Sequence, residues 1–129
     1  MSEGKDTIKT TLKSIGSPAV DWKLCLKLAN NKASLAQEIL TLIVQQLPDD
    51  IHAIKAAQEM EDYAEQLRCT HKLHGALCYS GMPRLKAVVS ELESLLKKGQ
   101  FEKRQLLELT QRLDEEVEAV LASSLPVEE

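Results

Sequence analysis

Apolar residues recur at intervals of three and four along most of this chain, which restricts the fold to packed helices. No segment alternates apolar and polar residues for long, as a strand with one buried face does. Aromatic residues make up only 3% of the sequence, too few for a typical β-sandwich core. The clearest helical run is Leu85, Val88, Val89, Leu92, Leu95 and Leu96.

Turn and capping residues divide this pattern into separate helices. A short apolar helix follows Val20, with Asp21 as its cap and Asn30 and Asn31 at its end. The capping-box pattern Ser34-x-x-Gln37 predicts the start of the next helix. Pro48 is expected to end that helix, and Asp49 or Asp50 to cap a short segment after it. Further helices are predicted over 63–80, 83–99 and 101–123, with Pro83 in a first turn and Gly99 at an end.

The chain has the length of one domain, and 129 residues are enough to bury a core without disulfides or metals. Short connections between successive helices favour antiparallel packing. We therefore expect an all-α, four-helix up-down bundle with an additional short N-terminal helix over residues 19–124. Residues 1–18 are predicted to be a tail or linker, with a short helical piece near 8–12, and residues 125–129 to be frayed.

Composition excludes several classes of protein. A net charge of −4 and a pI of about 5.4 give no basic footprint for nucleic acid. No apolar stretch is long enough to span a membrane, and the N-terminus lacks the apolar core of a secretion signal. Cys25, Cys69 and Cys78 show no Cys-x-x-Cys spacing and are odd in number, which favours reduced thiols in a cytoplasmic setting.

The stretch 69–78 carries the candidate site. On an ideal helix, Leu73 and Leu77 lie on the core-facing stripe, and His71 points nearly opposite, toward solvent. Gly75 lies about 40° from His71 around the helix, Arg68 about 60° and Lys72 about 100° on the same side, and His74 about 60° on the other.

These residue types fit an imidazole that accepts phosphate. The nucleophile is the neutral ring, and an ordinary imidazole pKa near 6.5 leaves much of it neutral at cellular pH. Gly75, one turn beyond His71, removes a side chain that would obstruct a partner. Lys72 and Arg68 are candidates to offset the charge of the phosphoryl group.

Other interpretations of the same residues remain open. Gly75 fits a packing glycine against a neighbouring helix, although a glycine costs about 1 kcal/mol against alanine inside a helix and needs a reason. His74 fits a supporting or a packing role. His71, His74 and Cys78 share one face and could supply three zinc ligands, but no fourth is evident. His52 is expected to be an ordinary surface residue.

The run His71-Lys72-Leu73-His74-Gly75, followed by Tyr79-Ser80-Gly81-Met82-Pro83-Arg84-Leu85-Lys86, resembles a histidine-containing phosphotransfer (HPt) domain. Asp21-Trp22 and Leu28-Ala29-Asn30-Asn31-Lys32 resemble the C-terminal HPt domains of tripartite hybrid sensor kinases of the BarA/GacS type. The resemblance covers about residues 20–123. Many HPt domains have Lys three residues after the active histidine, whereas this chain has His74, as the BarA-like subgroup also tends to have.

The resemblance implies that His71 is phosphorylated and exchanges its phosphoryl group reversibly with aspartates on receiver domains. The implied partners are the receiver domain of a hybrid sensor kinase and a downstream response regulator, with Mg²⁺ held by the receiver. The sequence has no glycine-rich nucleotide motif, so we expect no ATP binding, no autonomous kinase activity and no cofactor of its own.

The alternative function is a helical interaction module without chemistry. In either case the domain is expected to be a monomer, since its few aromatic residues and dispersed charges suggest no large exposed patch. We expect it to be cytoplasmic, with no direct contact to membrane or nucleic acid. A standalone protein and the excised cytoplasmic tail of an inner-membrane sensor kinase both fit the sequence.

Overall fold

The computed structural model describes residues 18–123, and this range contains five α-helices. Each long helix packs against the next one in the chain, and the last returns to the first of them to close a bundle. The all-α, four-helix fold with an extra N-terminal helix is therefore confirmed. The predicted tail before Pro18 and residues 124–129 lie outside the described range. The helices are α1 (Trp22–Leu28), α2 (Ala33–Glu59), α3 (Tyr63–Leu77), α4 (Pro83–Lys98) and α5 (Lys103–Ala122).

The prediction that Pro48 ends a helix is wrong, because α2 runs through it to Glu59. A proline inside a helix costs about 3 kcal/mol through a lost hydrogen bond and a steric clash. Leu47, Ile51 and Ile54 lie on one face of α2 and are at least 93% buried. Each such side chain gains about 1.5–3 kcal/mol on burial, so continuing the helix outweighs the cost of the proline.

Several helix ends agree with the sequence. The Asp21 carboxylate caps α1, with Oδ1 accepting a hydrogen bond from the Leu24 amide at 3.1 Å. Asn30 and Asn31 adopt left-handed φ angles of 56° and 62° and turn the chain after α1. Gly99 has a left-handed φ of 72° at the end of α4, a conformation that glycine adopts without steric cost.

Two other ends differ from the prediction. The second helix begins at Ala33, with Lys32 as its N-cap. Ser34, which was predicted to be the cap, therefore lies inside the first turn. The third helix ends at Leu77 rather than Ser80. The Ser80 hydroxyl donates back to the Leu77 carbonyl oxygen at 2.8 Å and satisfies one of the open carbonyls there.

The core lies along the axis of the bundle and consists almost wholly of aliphatic side chains. The faces of α3 and α4 that point away from this core are free to present polar groups. No helix within residues 18–123 has both the length and the apolar character needed to cross a membrane. The most deeply buried aliphatic side chains include Leu40, Leu47, Ile54, Leu73, Leu77, Leu85, Val89, Leu92, Leu106 and Leu113.

Gly81 lies in the connection between α3 and α4 and holds α1 across the end of the bundle. Its carbonyl oxygen accepts a hydrogen bond from the Asp21 amide at 2.6 Å. A Cβ at Gly81 would collide with the Asp21 carbonyl oxygen and the Cys25 sulfur, and would lie 2.8 Å from the Cys25 nitrogen. Backbone atoms cannot move aside as the end of a flexible side chain can, so this contact requires glycine.

Gly81→Ala is therefore expected to destabilise the chain by about 1–3 kcal/mol, the usual cost of overpacking. Urea unfolding followed by circular dichroism measures the difference. Gly75→Ala is the matched control, because a Cβ there meets no neighbouring heavy atom within 4 Å. Equal unfolding midpoints for Gly81→Ala and the parent would show that α1 can shift without cost.

Candidate functional site

The local sequence of α3 sets the direction of its histidines. Asp62 caps the helix, with Oδ1 accepting a hydrogen bond from the Glu65 amide at 3.1 Å. Leu73 and Leu77 are at least 99% buried, and they fix which face of α3 turns toward the core. Residues on the other face must then point outward. The predicted register of this helix is therefore confirmed.

His71 lies on that outward face near the middle of α3. Its side chain is 71% exposed, as the helical register predicts. A histidine whose only task was to fill the core would be buried with its nitrogens satisfied. The exposed ring of His71 is instead open to a group approaching from solvent.

Glu93 of α4 is a site residue that the sequence analysis missed. Its side chain is only 6% exposed, although glutamate is seldom buried without partners. One carboxylate oxygen, Oε2, contacts His71 Nδ1, and the other, Oε1, lies 2.6 Å from His74 Nδ1. The sequence could have indicated that Glu93 is buried, because its spacing from Val89 and Leu96 places it beside the buried stripe of α4.

The electrostatics of Glu93 determine the tautomer of His71. Burial raises the pKa of Glu93. Hydrogen bonds from His71 and His74 and the charge of Lys97 together lower this pKa by more than burial raises it, so the net shift is downward. The carboxylate is therefore ionised at neutral pH. An ionised carboxylate only accepts hydrogen bonds, so Nδ1 of His71 must carry the proton. In the neutral ring, this leaves the lone pair on Nε2, the nitrogen away from Glu93.

Gly75 lies one turn beyond His71 on the exposed face of α3. Apart from the backbone of its own helix, no heavy atom lies within 4 Å of the position that a Cβ would occupy. The packing interpretation of Gly75 is therefore wrong. The missing side chain leaves open surface beside the His71 ring.

The two cations predicted to serve the site have acidic neighbours in the structure. Arg68 forms a two-point ion pair with Glu65, with Nε–Oε1 and Nη2–Oε2 distances of 2.7 and 2.6 Å. Lys72 is exposed on α3, and its charge partly opposes the rise that burial causes in the pKa of Asp50 on α2. Lys97, on α4, instead places its Nζ 3.5 Å from Glu93 Oε2.

A shallow groove of about 370 Å³ runs beside His74 between α1, α3 and α4. Leu28 is 42% exposed at its edge, so the groove offers apolar surface to a partner. Cys78, one of three free cysteines, is exposed in it. Its lining residues are Leu24, Leu28, His74, Cys78, Ser80, Pro83, Lys86, Ala87 and Ser90.

The zinc alternative required His71, His74 and Cys78 to converge. Both imidazole Nδ1 atoms instead face the Glu93 carboxylate. Across residues 18–123, no group of three or more His, Cys, Asp or Glu side chains is arranged to hold a metal ion. His52 lies exposed on α2, in agreement with its prediction as a surface residue.

The fold and the site together define a four-helix bundle that presents one oriented histidine at the middle of a helix. The sequence signature of the Hpt domain family matches residues 38–123. The chain therefore belongs to the HPt domain family.

Similar proteins include two histidine kinases. The sensor histidine kinase GacS of Pseudomonas protegens is 42% identical over 72 residues, which are 56% of this chain and 8% of GacS. The signal transduction histidine-protein kinase BarA of Escherichia coli is 33% identical over 96 residues, or 74% of this chain and 10% of BarA. The chain thus spans about a tenth or less of the curated relatives it matches.

A solved structure shows the same fold. The crystal structure of the HPT domain from a sensor hybrid histidine kinase of Shewanella superposes with a TM-score of 0.68 and 37% sequence identity. The match covers 80% of this chain and 91% of that domain. The similarity to HPt domains of hybrid kinases that the sequence suggested is therefore confirmed.

Proposed function

We propose that this domain is a phosphorelay intermediate that carries a phosphoryl group on His71. The group arrives from the aspartyl phosphate of a receiver domain and leaves to the aspartate of a response regulator. The observation that carries the proposal is the contact between the exposed His71 ring and the buried Glu93 carboxylate. This contact fixes the ring and leaves Nε2 as an open nucleophile.

The transfer step follows from that geometry. His71 Nε2 attacks the phosphorus of the acyl phosphate, the N–P bond forms, and the P–O bond to aspartate breaks. The aspartate leaves as a carboxylate, and the proton on His71 Nδ1 stays where it is. The ring therefore gains a positive charge as the bond forms.

Glu93 is placed to stabilise that charge. A fixed carboxylate aimed at a developing positive charge lowers the barrier without reorganising during the reaction. The reverse step passes through the same transition state, so Glu93 faces the charged ring in both directions of transfer.

The open surface at Gly75 and the adjoining apolar groove support docking of a receiver domain over His71. In-line attack requires the acyl phosphate to approach within about 3–3.5 Å of Nε2, so the partner must lie directly on this face. The receiver would supply the aspartate and the Mg²⁺, and this domain the imidazole. Lys72 and Arg68 would flank the contact and contribute long-range attraction for phosphate. We propose that the domain performs this step as a monomer in the cytoplasm.

Incubation of the full chain with a receiver carrying radiolabelled aspartyl phosphate tests this function. We expect label to move to the chain as a phosphoramidate, which is labile in acid and stable in base. Subsequent addition of a second, unphosphorylated receiver should remove it. A stable complex without transfer of label would instead favour the interaction module.

A further inference from the structure

The two oxygens of Glu93 are shared between two histidines of the same helix. Oε2 contacts His71 Nδ1, and Oε1 lies 2.6 Å from His74 Nδ1. The two imidazoles differ in their surroundings, because the His71 side chain is 71% exposed and that of His74 only 26%. His74 is thus the half-buried partner of a carboxylate whose other oxygen serves the reactive ring.

A carboxylate held at only one oxygen can rotate about its last torsion, which has a broad and roughly two-fold energy profile. A second donor on the other oxygen fixes the plane of the carboxylate and therefore the direction of the lone pairs on both oxygens. His74 supplies that donor from one turn along α3. Lys97, at 3.5 Å, is exposed and flexible, so it adds charge rather than direction.

We propose that His74 is a positioning residue for phosphotransfer, acting on His71 through Glu93. Its side chain is only 26% exposed, against 71% for His71, so we assign the acceptor role to His71 and a supporting role to His74. The held carboxylate keeps the proton of His71 on Nδ1 and the lone pair on Nε2. Without that restraint the neutral ring also populates the tautomer protonated on Nε2, which has no lone pair at its exposed nitrogen.

Nitrogen-15 NMR of the histidine side chains in the full chain measures the tautomer directly, above the pH at which imidazoles protonate. His74→Leu removes the donor and approximately keeps the volume. His74→Asn keeps an N–H donor near the position of Nδ1. We expect His71 to be protonated on Nδ1 in the parent and in His74→Asn, and to populate both tautomers in His74→Leu. An unchanged His71 tautomer in a folded His74→Leu variant would overturn the proposal.

The kinetic part rests on the proposed phosphotransfer function. His74→Leu should lower kcat for uptake from a phosphorylated receiver about tenfold, the order expected when one charge-assisted hydrogen bond is lost. KM should change little, and His74→Asn should restore most of the rate. A rise in KM with unchanged kcat would instead make His74 a docking contact of the neighbouring groove.

A double-mutant cycle tests whether His74 acts through Glu93. In the background of Glu93→Gln, replacing His74 by Leu should have little further effect on the rate, because the path through the carboxylate is already broken. Additive losses would show that His74 acts independently of Glu93. If the parent chain takes up no phosphate, the proposed phosphotransfer function is refuted. The tautomer measurement needs no receiver, so the NMR result still decides whether His74 positions His71 through Glu93.

Discussion

Phosphoryl uptake from a receiver is expected to disappear in His71→Gln, while the chain stays folded. The loss is complete because the glutamine amide nitrogen has no lone pair available for attack on phosphorus. The fold is retained because the His71 side chain is 71% exposed. Label transfer and urea unfolding measure the two effects separately.

His52→Gln is the matched control for this variant. His52 lies exposed on α2 and takes no part in the Glu93 cluster, so its replacement should leave uptake unchanged. His74→Gln should keep substantial uptake, since its amide remains close to Glu93. If His74→Gln lost all uptake and His71→Gln retained it, the assignment of the acceptor would be wrong.

The sequence predicted the register of α3 because only local information was needed. A period of 3.6 residues with buried Leu73 and Leu77 leaves one possible direction for His71. The ion pair of Arg68 with Glu65 was equally local, since these residues are three apart on one helix, and that spacing alone could have indicated it.

Glu93 could not be assigned in the same way. It lies 22 positions beyond His71, and its contact depends on how α3 packs against α4. Periodicity places a residue on a face of its own helix, but it does not specify which residue of a neighbouring helix that face meets. The role of His74 was left open for the same reason, because its partner is Glu93.

Pro48 and Gly75 show how packing decides between local interpretations. Proline has a strong local tendency to end helices, and only the burial of residues on both sides of Pro48 shows that this tendency is overcome. For Gly75 the sequence allowed either packing or access. The empty space around its Cβ position distinguishes the two, and no property of the sequence reports that space.

Gly75→Gln is expected to fold at least as well as the parent but to accept phosphate from a receiver about 100-fold more slowly, the loss associated with a displacement of about 1 Å. The stability should rise by up to about 1 kcal/mol, because glycine is a poor helix former and the new Cβ meets no neighbour within 4 Å. The rate should fall because the glutamine side chain projects from the exposed face one turn beyond His71. There it would hold the incoming aspartyl phosphate away from in-line contact with Nε2.

Two comparisons separate steric obstruction from damage to the site. Gly75→Ala adds only a Cβ, so it should gain similar stability and lose much less of the transfer rate. A small phosphoryl donor such as phosphoramidate needs less room than a receiver domain, so its reaction with Gly75→Gln should be slowed far less. Transfer from the receiver at the parental rate would show that the partner does not cover this part of α3, and the docking face would then lie toward the groove beside His74.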